Sequence, residues 1–243
     1  MRKNLLLMSV SMLLFACTSS KNLEKNLSRE RLFLPYLTEN ISVKCDKNVK
    51  IALGAVRLDS IAAQTKVYKN KKYVLPLLFY NGIDEEMWVR LGQNSYEQLF
   101  PDYFADVFFQ QSESRGCYTL VDNAKDADYV IDFNIVNYNT EAKYSSSSST
   151  LFLFWELTAN KEETAFGANT SIDVRMRLTA KNGIRFEKTV YADDAQPLYE
   201  KTEKDFEKLQ FFFQENMVKS LSAATKQCAE QIVGEINNRL KLE

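Results

Sequence analysis

SIDVRMRLTAKNGIRFEKTV, at residues 171–190, is the stretch with the clearest structural signal in this chain of 243 residues. In its first half every second residue is apolar: Ile172, Val174, Met176 and Leu178. A period of two residues is typical of a strand that buries one face. Lys181-Asn182-Gly183 separates this strand from a second one, so the stretch predicts a β-hairpin.

The length of the turn decides which residues of the hairpin share a face of the sheet. A two-residue Asn-Gly turn would put the apolar residues of the two strands on opposite faces. A three-residue loop ending at Gly183 instead pairs Leu178 with Phe186 and Arg177 with Glu187, which keeps the apolar residues together. We therefore predict a type I turn followed by Gly183 in the left-handed region, as a G1 bulge.

Outside this hairpin, alternation and apolar runs predict further extended segments: 41–45, 49–58, 73–80, 117–121 and 128–138. The 73–80 run contains Pro76, which has no N–H to donate to a neighbouring strand. It is therefore predicted to lie at a sheet edge. Asn81-Gly82 is predicted to end the run.

Residues 95–114 are predicted to form a helix, because apolar residues recur at spacings of three and one. They make up one face: Tyr96, Leu99, Phe100, Tyr103, Phe104, Val107 and Phe108. We interpret this face as core, and a ligand-binding row of aromatic rings is the alternative. Ser95 and Gln98 fit a capping box at the start of the helix. Pro101 is predicted to begin a fresh helix or to kink this one.

A second helix is predicted over residues 202–241, where apolar residues keep spacings of three or four. Forty helical residues would span about 60 Å, which is longer than we expect for this domain. We therefore predict a break near residues 211–216 and a main helix over about 216–240, packed on the sheet.

Together these segments predict an α+β fold, with a mostly antiparallel sheet and two main helices packed on one face. We expect a single domain over residues 40–243, preceded by a flexible tether over 17–39. Residues 139–170 are predicted to be an insertion between two strong strands. A run of serines at 145–149 within it is predicted to be flexible.

An uninterrupted apolar run, LFLFWEL, follows the serines at residues 151–157. One interpretation is a buried strand or a hairpin that extends the sheet. The other is an exposed patch that docks a protein partner or enters the bilayer interface. The candidate binding residues are Leu151, Phe152, Phe154 and Trp155, with Trp155 as the anchor.

The composition excludes several classes of site. The chain has no histidine, so it holds no Ser-His-Asp triad, Cys-His dyad or histidine-ligated zinc ion. Cys45, Cys117 and Cys228 are far apart and form no CxxC pair, so we predict no metal site and no cofactor. Cys117 and Cys228 are interpreted as buried apolar residues, and a disulfide from Cys45 to one of them is the alternative.

The N-terminus has the order of a secretory signal, a short basic region followed by an apolar run over residues 5–15. That run is shorter than the roughly 20 residues that cross a bilayer. It ends in Leu14-Phe15-Ala16-Cys17, which resembles the lipobox of bacterial lipoproteins, although Phe15 is bulkier than the usual residue. The resemblance implies a cleaved signal peptide over 1–16 and acylation of Cys17 by fatty chains such as palmitate.

The same resemblance implies a place in the outer membrane, on its periplasmic face, because Thr18 is not an acidic retention signal. Two or more acyl chains hold a protein stably on a bilayer. Without Arg2 and Lys3 the chain has 29 basic and 32 acidic residues, a formal charge of −3. This weak acidity argues against nucleic acid as a partner.

With the lipobox, the order of elements resembles that of small envelope lipoproteins that assist transport machines. Examples are the lipopolysaccharide-assembly lipoprotein and the auxiliary lipoproteins of envelope ABC transporters. The resemblance rests on RGCYTLV at 115–121, ADYVIDFNIVNY at 127–138 and the alternating strand before Asn182-Gly183. It implies a non-enzymatic accessory protein that binds an envelope protein partner through a sheet edge or through residues 144–157.

Two other functions stay open. A carrier of an apolar ligand such as a lipid would line a cavity with the aromatic faces of 96–108 and 206–217. A glycan hydrolase would need two carboxylates about 5–9 Å apart. The candidates for that pair are Asp84, Glu85, Glu86, Asp193 and Asp194. Arg175 and Arg177 are interpreted as a solvated sheet face, with an anion site as the alternative.

Overall fold

The computed structural model describes residues 25, 27, 31–37, 48–59, 66–77, 80–153, 156–195, 201–203 and 206–240. The described residues form eight strands in one sheet: β1 (Lys50–Leu58), β2 (Lys66–Leu77), β3 (Tyr80–Arg90), β4 (Thr119–Val121), β5 (Tyr129–Leu153), β6 (Glu156–Ala180), β7 (Gly183–Ala195) and β8 (Lys201–Glu203). They also form helices α1 (Phe100–Arg115) and α2 (Phe206–Leu240), with a short 3-10 helix (Gln93–Ser95) before α1.

The sheet is built around one long hairpin, β5 and β6. Each strand has 25 residues, which corresponds to about 80 Å. The two strands pair from one end to the other. On the other edge of β5, β1 pairs with residues 129–135 and β3 pairs with residues 141–151. β4 lies beyond β1, and β2 lies beyond β3.

The predicted fold class is confirmed. On the outer edge of β6, β7 pairs with residues 169–180 and β8 with residues 163–165. The pairs are mostly antiparallel, while β1 runs parallel to β4 and β5. α1 and α2 cover one face of the sheet, where the buried apolar side chains lie. The protein is therefore an α+β fold of two layers.

The hairpin predicted from residues 171–190 forms, and away from the turn its register is as predicted: Leu178 lies opposite Phe186, and Arg177 lies opposite Glu187. The predicted three-residue loop with a G1 bulge at Gly183 is wrong, because Ala180 pairs with Gly183 across a two-residue turn. The extra residue of β7 is Arg185, between the partners of Thr179 and Leu178. Gly183 has a φ of +115°, which glycine adopts far more readily than other residues.

The aromatic face of α1 is part of the core, as interpreted from its spacing. Phe104 and Phe108 meet the ring of Phe133 edge-on, at centroid distances of 5.4 and 4.8 Å. Phe100 stacks on Tyr138 at 4.5 Å. All five rings are buried, so they fill the space between α1 and β5.

α1 begins at Phe100 with Pro101 in its first turn, in agreement with the prediction that the proline starts a helix. The predicted capping box of Ser95 and Gln98 is wrong, because Ser95 ends the preceding 3-10 helix. Instead, the Gln93 side chain accepts a hydrogen bond from the Phe100 N–H at 3.0 Å.

α2 is one continuous helix of 35 residues, about 52 Å long. The predicted break near residues 211–216 is therefore wrong. The prediction assumes a domain shorter than the helix. The 25-residue strands instead make the sheet about 80 Å long, so the whole helix can lie along it. Buried Leu209, Phe213 and Met217 continue one apolar face through the region. Neither α1 nor α2 combines the length and apolar character needed to cross a bilayer.

Pro76 lies in β2, at the edge of the described sheet, as predicted. The predicted end of this run at Asn81-Gly82 is wrong. Both residues lie inside β3, opposite Thr150 and Ser149 of β5. The Asn-Gly pair is held in extended conformation because β3 pairs on both sides.

The serines at 145–149, predicted to be flexible, form a central strand. Ser146 lies opposite Glu85 of β3 on one side and opposite Glu163 of β6 on the other. Backbone pairing on both edges holds this run in place, so the prediction of flexibility is wrong. Residues 139–153 and 156–170 continue the two long strands, so for the described backbone the alternative of a hairpin that extends the sheet is correct.

The packed part of the chain begins before the predicted start at residue 40. Leu34 is buried in the core. Leu32 forms a parallel bridge with Tyr96, and its N–H donates a hydrogen bond to the Ser95 carbonyl at 2.8 Å. Residues 31–37 therefore belong to the folded domain rather than to a tether.

Candidate functional site

The ends of two hairpins lie side by side at one end of the sheet. Leu77 pairs with Tyr80 at the last described rung of β2 and β3, and Tyr80 in turn pairs with Leu151 of β5. The sheet thus brings together the described parts of two apolar runs, residues 74–77 and 80 of one and residues 151–153 and 156–157 of the other. We call these two runs the apolar tip.

The candidate binding residues belong to this tip. Leu151 and Phe152 lie in β5, and Phe152 pairs with Leu157 of β6. Phe154 and Trp155 lie outside the described residues, so their role stays a prediction. The sequence did not show that the run at 74–80 lies beside the run at 151–157. Only the pairing of β3 with β5 brings the described residues of the two runs together.

A polar row crosses the helix-facing side of the sheet between the core and the apolar tip. It consists of Glu85 on β3, Ser146 on β5 and Glu163 on β6, which are successive register partners. All three are buried. The next row toward the core is Met87, Tyr144 and Ala165. Along the described backbone, this polar row lies between the core and the ends of the two hairpins.

Tyr144 contacts the polar row from the core side. Its hydroxyl donates a hydrogen bond to Glu163 Oε2 at 2.5 Å. Lys161 lies 2.5 Å from Glu163, and Lys71 lies 3.4 Å from Glu85, so each buried carboxylate has a cationic neighbour. Burial, with the Glu163 carboxylate as the next cause, raises the pKa of Tyr144, and the phenol stays protonated.

A groove of about 350 Å³ runs between β7 and α2. Residues of both elements line it: Lys188, Thr189, Tyr191, Gln231, Gly234 and Asn238. Gly234 keeps the groove open, since no atom lies within 4 Å of the position a Cβ would take. Lys188 bridges to Glu235 of α2 at 2.5 Å. Tyr191 stands at the groove with 63% of its surface exposed.

Two long strands, β2 and β7, pair on one side only in the described part of the chain. β2 carries four lysines and Pro76, which are features that discourage pairing of an edge with another chain. β7 contains no proline, and it has the groove beside it. We therefore take β7 as the edge better suited to accept an extended peptide.

The two groups of carboxylates considered for glycan hydrolysis, on β3 and on β7, do not come together. Asp84 and Glu86 lie on β3, whereas Asp193 and Asp194 lie on β7, with β5 and β6 between them. Three strand spacings amount to about 14 Å, which exceeds the separation that glycoside cleavage needs. Glu85 belongs to the buried polar row on the helix-facing side.

The two acids on the open face of β3 have partners of their own. Glu86 accepts a hydrogen bond from Lys143 at 2.7 Å, and this bond holds the pKa of Glu86 below its usual value. Asp84 accepts a hydrogen bond from the Ser147 hydroxyl at 2.7 Å. Glu86, kept ionised by Lys143, is a poor general acid. The pair therefore does not resemble an acid–base site.

Asp173 on β6 is an acid that sequence reasoning did not single out. It is diagonal to Asp193 across β6 and β7, since Asp173 pairs with Tyr191 and Ser171 pairs with Asp193. Burial, with Asp193 as the next cause, raises the pKa of Asp173, and a hydrogen bond with Asn137 opposes the rise. A carboxyl group with a raised pKa is suited to act as a general acid.

The cysteines have different states. Cys117 is disulfide-bonded, so its interpretation as a buried apolar residue is wrong. Cys228 is a free thiol and fully buried, as interpreted. Burial raises the pKa of Cys228 to about 12, which keeps the thiol neutral near pH 7. Cys17 and Cys45 lie outside the described residues, within which no group of acidic or cysteine side chains is arranged to hold a metal ion.

The two arginines of β6 form a solvated, charge-paired surface, as interpreted. Glu187 lies 4.0 Å from Arg175 and 3.0 Å from Arg177. Both arginine side chains are about half exposed. Their charges are therefore matched by a neighbour on β7.

The aromatic faces proposed to line a ligand cavity are in direct contact with the sheet. The rings of α1 pack on Phe133 and Tyr138. On α2, Phe213 meets Tyr144 edge-on at 6.1 Å. The described contacts favour core packing over the lining of a cavity.

No family model and no curated protein matches the chain. One solved structure that resembles it in outline is protein XCC0632 from Xanthomonas campestris, of family DUF330. The two sequences are 9% identical, and the match covers 87% of this chain and 96% of that chain with a TM-score of 0.42. A likeness at this level assigns neither a family nor a function.

Proposed function

We propose that this protein is a lipid-anchored, non-enzymatic accessory protein of the bacterial envelope. Acylated Cys17 would hold it in the outer membrane, and its domain would bind a protein partner on the periplasmic side. The observation that carries the proposal is Leu14-Phe15-Ala16-Cys17 at the end of a short apolar run. Several acyl chains on one cysteine are enough to anchor a folded domain stably.

The disulfide at Cys117 supports this location. Structural disulfides form and persist in oxidising compartments such as the periplasm, and they are rare in the cytosol. The remaining described thiol, Cys228, is fully buried and is thereby kept from exchanging with the disulfide.

The edge of β7 is where we place the partner. An extended peptide can add a strand to an exposed edge, with main-chain hydrogen bonds giving affinity and side-chain pockets giving specificity. β7 offers 13 residues. The groove beside it, open at Gly234, gives room for side chains of the added strand.

Photo-crosslinking in living cells tests this placement. A photo-reactive amino acid at Tyr191 reports on the β7 edge, and Tyr68 on β2 is a matched control, since both are exposed tyrosines on edge strands. We expect one defined protein crosslinked at 191 and none at 68. The substitution Gly234→Trp should abolish the crosslink at 191 by filling the groove. Equal crosslinking at both positions, or none at either, contradicts the placement.

A glycan hydrolase is the second candidate, and the pair of Asp173 and Asp193 is the observation that favours it. The test is release of soluble fragments from purified peptidoglycan by the mature protein. If this function is correct, Asp193→Asn abolishes the release and Asp84→Asn does not. If the unaltered protein releases no soluble fragments from peptidoglycan, this candidate function is excluded.

A further inference from the structure

We propose that the sheet binds an uncharged glycan, without cleaving it, on the side of β5, β6 and β7 that faces away from the helices. The site is a concavity of about 280 Å³, and its lining includes Asn139, Glu141, Asn169, Ser171 and Asp193. The site lies on the face of the sheet, so it uses neither the lipid anchor nor the edge of β7 that we assign to a protein partner.

Three successive rungs of the sheet place polar side chains and one aromatic ring in a grid. The first rung is Asn137, Asp173 and Tyr191, the second is Asn139, Ser171 and Asp193, and the third pairs Glu141 with Asn169. Residues between these positions, such as Tyr138, Ile172 and Ala192, are buried in the core under the helices. Because side chains alternate along a strand, the grid projects from the opposite face. It covers about 10 Å across the strands and about 14 Å along them.

Two irregularities in the pairing of β5 with β6 bracket the grid. The register shifts between Ile135 and Asn137 at one end and between Ala142 and Tyr144 at the other. Bulges bend a strand and re-aim its side chains, and they are over-represented next to active sites. We attribute the concavity to these two bends.

The grid offers hydrogen-bond acceptors that are already oriented. Asp173 accepts a hydrogen bond from the Asn137 side chain, and Glu141 accepts one from Arg90 at 3.1 Å. These bonds fix the carboxylates before a ligand arrives, which lowers the entropic cost of binding. The Asn139 Oδ1 atom is buried and has no hydrogen-bond partner among the described residues. Acceptors of this kind favour a ligand that brings hydroxyl or amide donors.

The charge of the grid disfavours an anionic ligand. The register partners of Asp173 are Asn137 and Tyr191, and a register partner of Asp193 is Ser171, all of them uncharged. The two carboxylates therefore give the site a negative charge, which repels phosphate, sulfate and uronate groups. An uncharged chain of hydroxyl groups fits the site instead.

Tyr191 adds a flat apolar surface at one corner of the grid. Its side chain is 63% exposed, and it lies opposite Asp173. A pyranose ring has a face of C–H groups that packs on an aromatic ring, while the hydroxyl groups around its rim reach polar side chains. An exposed ring beside carboxylate and amide groups thus matches a sugar better than other uncharged ligands.

Binding of short oligosaccharides to the purified protein tests the proposal. The mature chain with Cys17→Ser lacks the acylation site, and the uncharged probes are triacetylchitotriose and maltotriose. We expect saturation-transfer NMR to show contact with at least one of them, and calorimetric titration to give its dissociation constant. Trigalacturonate, of the same length but anionic, should show no binding. Absence of transfer to both uncharged probes overturns the proposal, and so does equal binding of trigalacturonate.

Two pairs of variants locate the binding, and all four positions are exposed, so the variants are expected to fold. Tyr191→Ala should weaken binding of the probe about ten-fold or more, because the stacking surface is lost. Tyr68→Ala, on β2, is its control and should leave binding unchanged. Asp193→Asn should weaken binding about ten-fold, because hydrogen bonds to a charged acceptor are the stronger ones. Asp84→Asn, on β3, is its control, and equal losses in a variant and its control would contradict the location.

The outcomes are distinct from those of the proposed functions. Failure of the lipid anchor removes palmitate incorporation and leaves glycan binding by the Cys17→Ser chain intact. The probe should be recovered at its original length after incubation with the protein. Shortening of the probe would overturn binding without cleavage and would favour the hydrolase.

Discussion

Tyr80 on β3 and Leu151 on β5 are register partners, and their pairing sets the ends of two hairpins next to each other. The two apolar runs at these ends are far apart in the sequence and adjacent in the sheet. A row of buried polar residues lies between them and the core.

Phe133 is predicted to be a main contributor to the stability of the core. Its ring receives Phe104 and Phe108 of α1 edge-on and is buried. Phe133→Ala should lower the free energy of unfolding by about 3–5 kcal/mol through lost burial and a residual cavity. Urea denaturation followed by circular dichroism measures the change. Phe211→Ala, at a position on α2 that is 68% exposed, should change it by less than about 0.5 kcal/mol.

The turn between β6 and β7 gives a second prediction. Gly183→Ala should destabilise the protein by about 1–2 kcal/mol, because a φ of +115° strains any residue with a Cβ. Gly234→Ala should stabilise it by up to about 1 kcal/mol, since this glycine lies inside α2 with free space around it. A thermal melt of both variants compares them directly. Equal shifts of the same sign would show that backbone conformation at residue 183 does not matter.

The pairing of Leu178 with Phe186 was predictable, because it is the pairing that keeps the apolar residues of both strands on one face. The two-residue turn and the bulge at Arg185 were not, because several turns of different length give the same pairing further along the strands. The serines at 145–149 gave no such signal, since a strand held by neighbours on both edges needs no pattern of its own. The break predicted in α2 was wrong for a related reason. A continuous helix of this length needs a long sheet to pack on, and the length of the sheet cannot be read from the sequence of the helix.

The candidate site was predictable only in pieces. The run at 151–157 is visible in the sequence, and its partner at 74–80 becomes visible only through long-range strand order. The groove beside β7 depends on where α2 crosses the sheet, which no local motif encodes. Asp173 was missed because its altered pKa comes from burial and from Asp193, on the neighbouring strand.

Stability should fall at alkaline pH. Burial raises the pKa of several tyrosines above the usual value: Tyr96, Tyr103, Tyr118, Tyr138 and Tyr144. The folded state therefore keeps protons that the unfolded state loses above about pH 10. Stability is fully present below that pH and decreases above it, by up to about 1.4 kcal/mol per pH unit for each tyrosine.

Urea denaturation midpoints measured from about pH 8 to about pH 11.5 report this decrease. The range extends to both sides of the ordinary pKa of tyrosine, about 10. Absorbance of tyrosinate should rise together with unfolding, since the buried phenols ionise when the chain opens. Ionisation of all tyrosines in a chain that stays folded would contradict the burial of these rings.

The disulfide at Cys117 should contribute about 2–5 kcal/mol to stability. A reducing agent is expected to lower the urea midpoint of the unaltered protein and to leave that of Cys117→Ser unchanged. Cys228→Ala serves as the control and should stay sensitive to the reductant, because Cys228 is a free thiol. Equal sensitivity of Cys117→Ser and the unaltered protein would contradict the assignment of the bond.

Metabolic labelling with radioactive palmitate tests the lipid anchor most directly. The account predicts strong labelling of the unaltered protein in the outer-membrane fraction and loss of the label in Cys17→Ser. Cys228→Ala is the control that should keep the label. Equal incorporation by Cys17→Ser and the unaltered protein, or a soluble mature chain that begins at another residue, would contradict it.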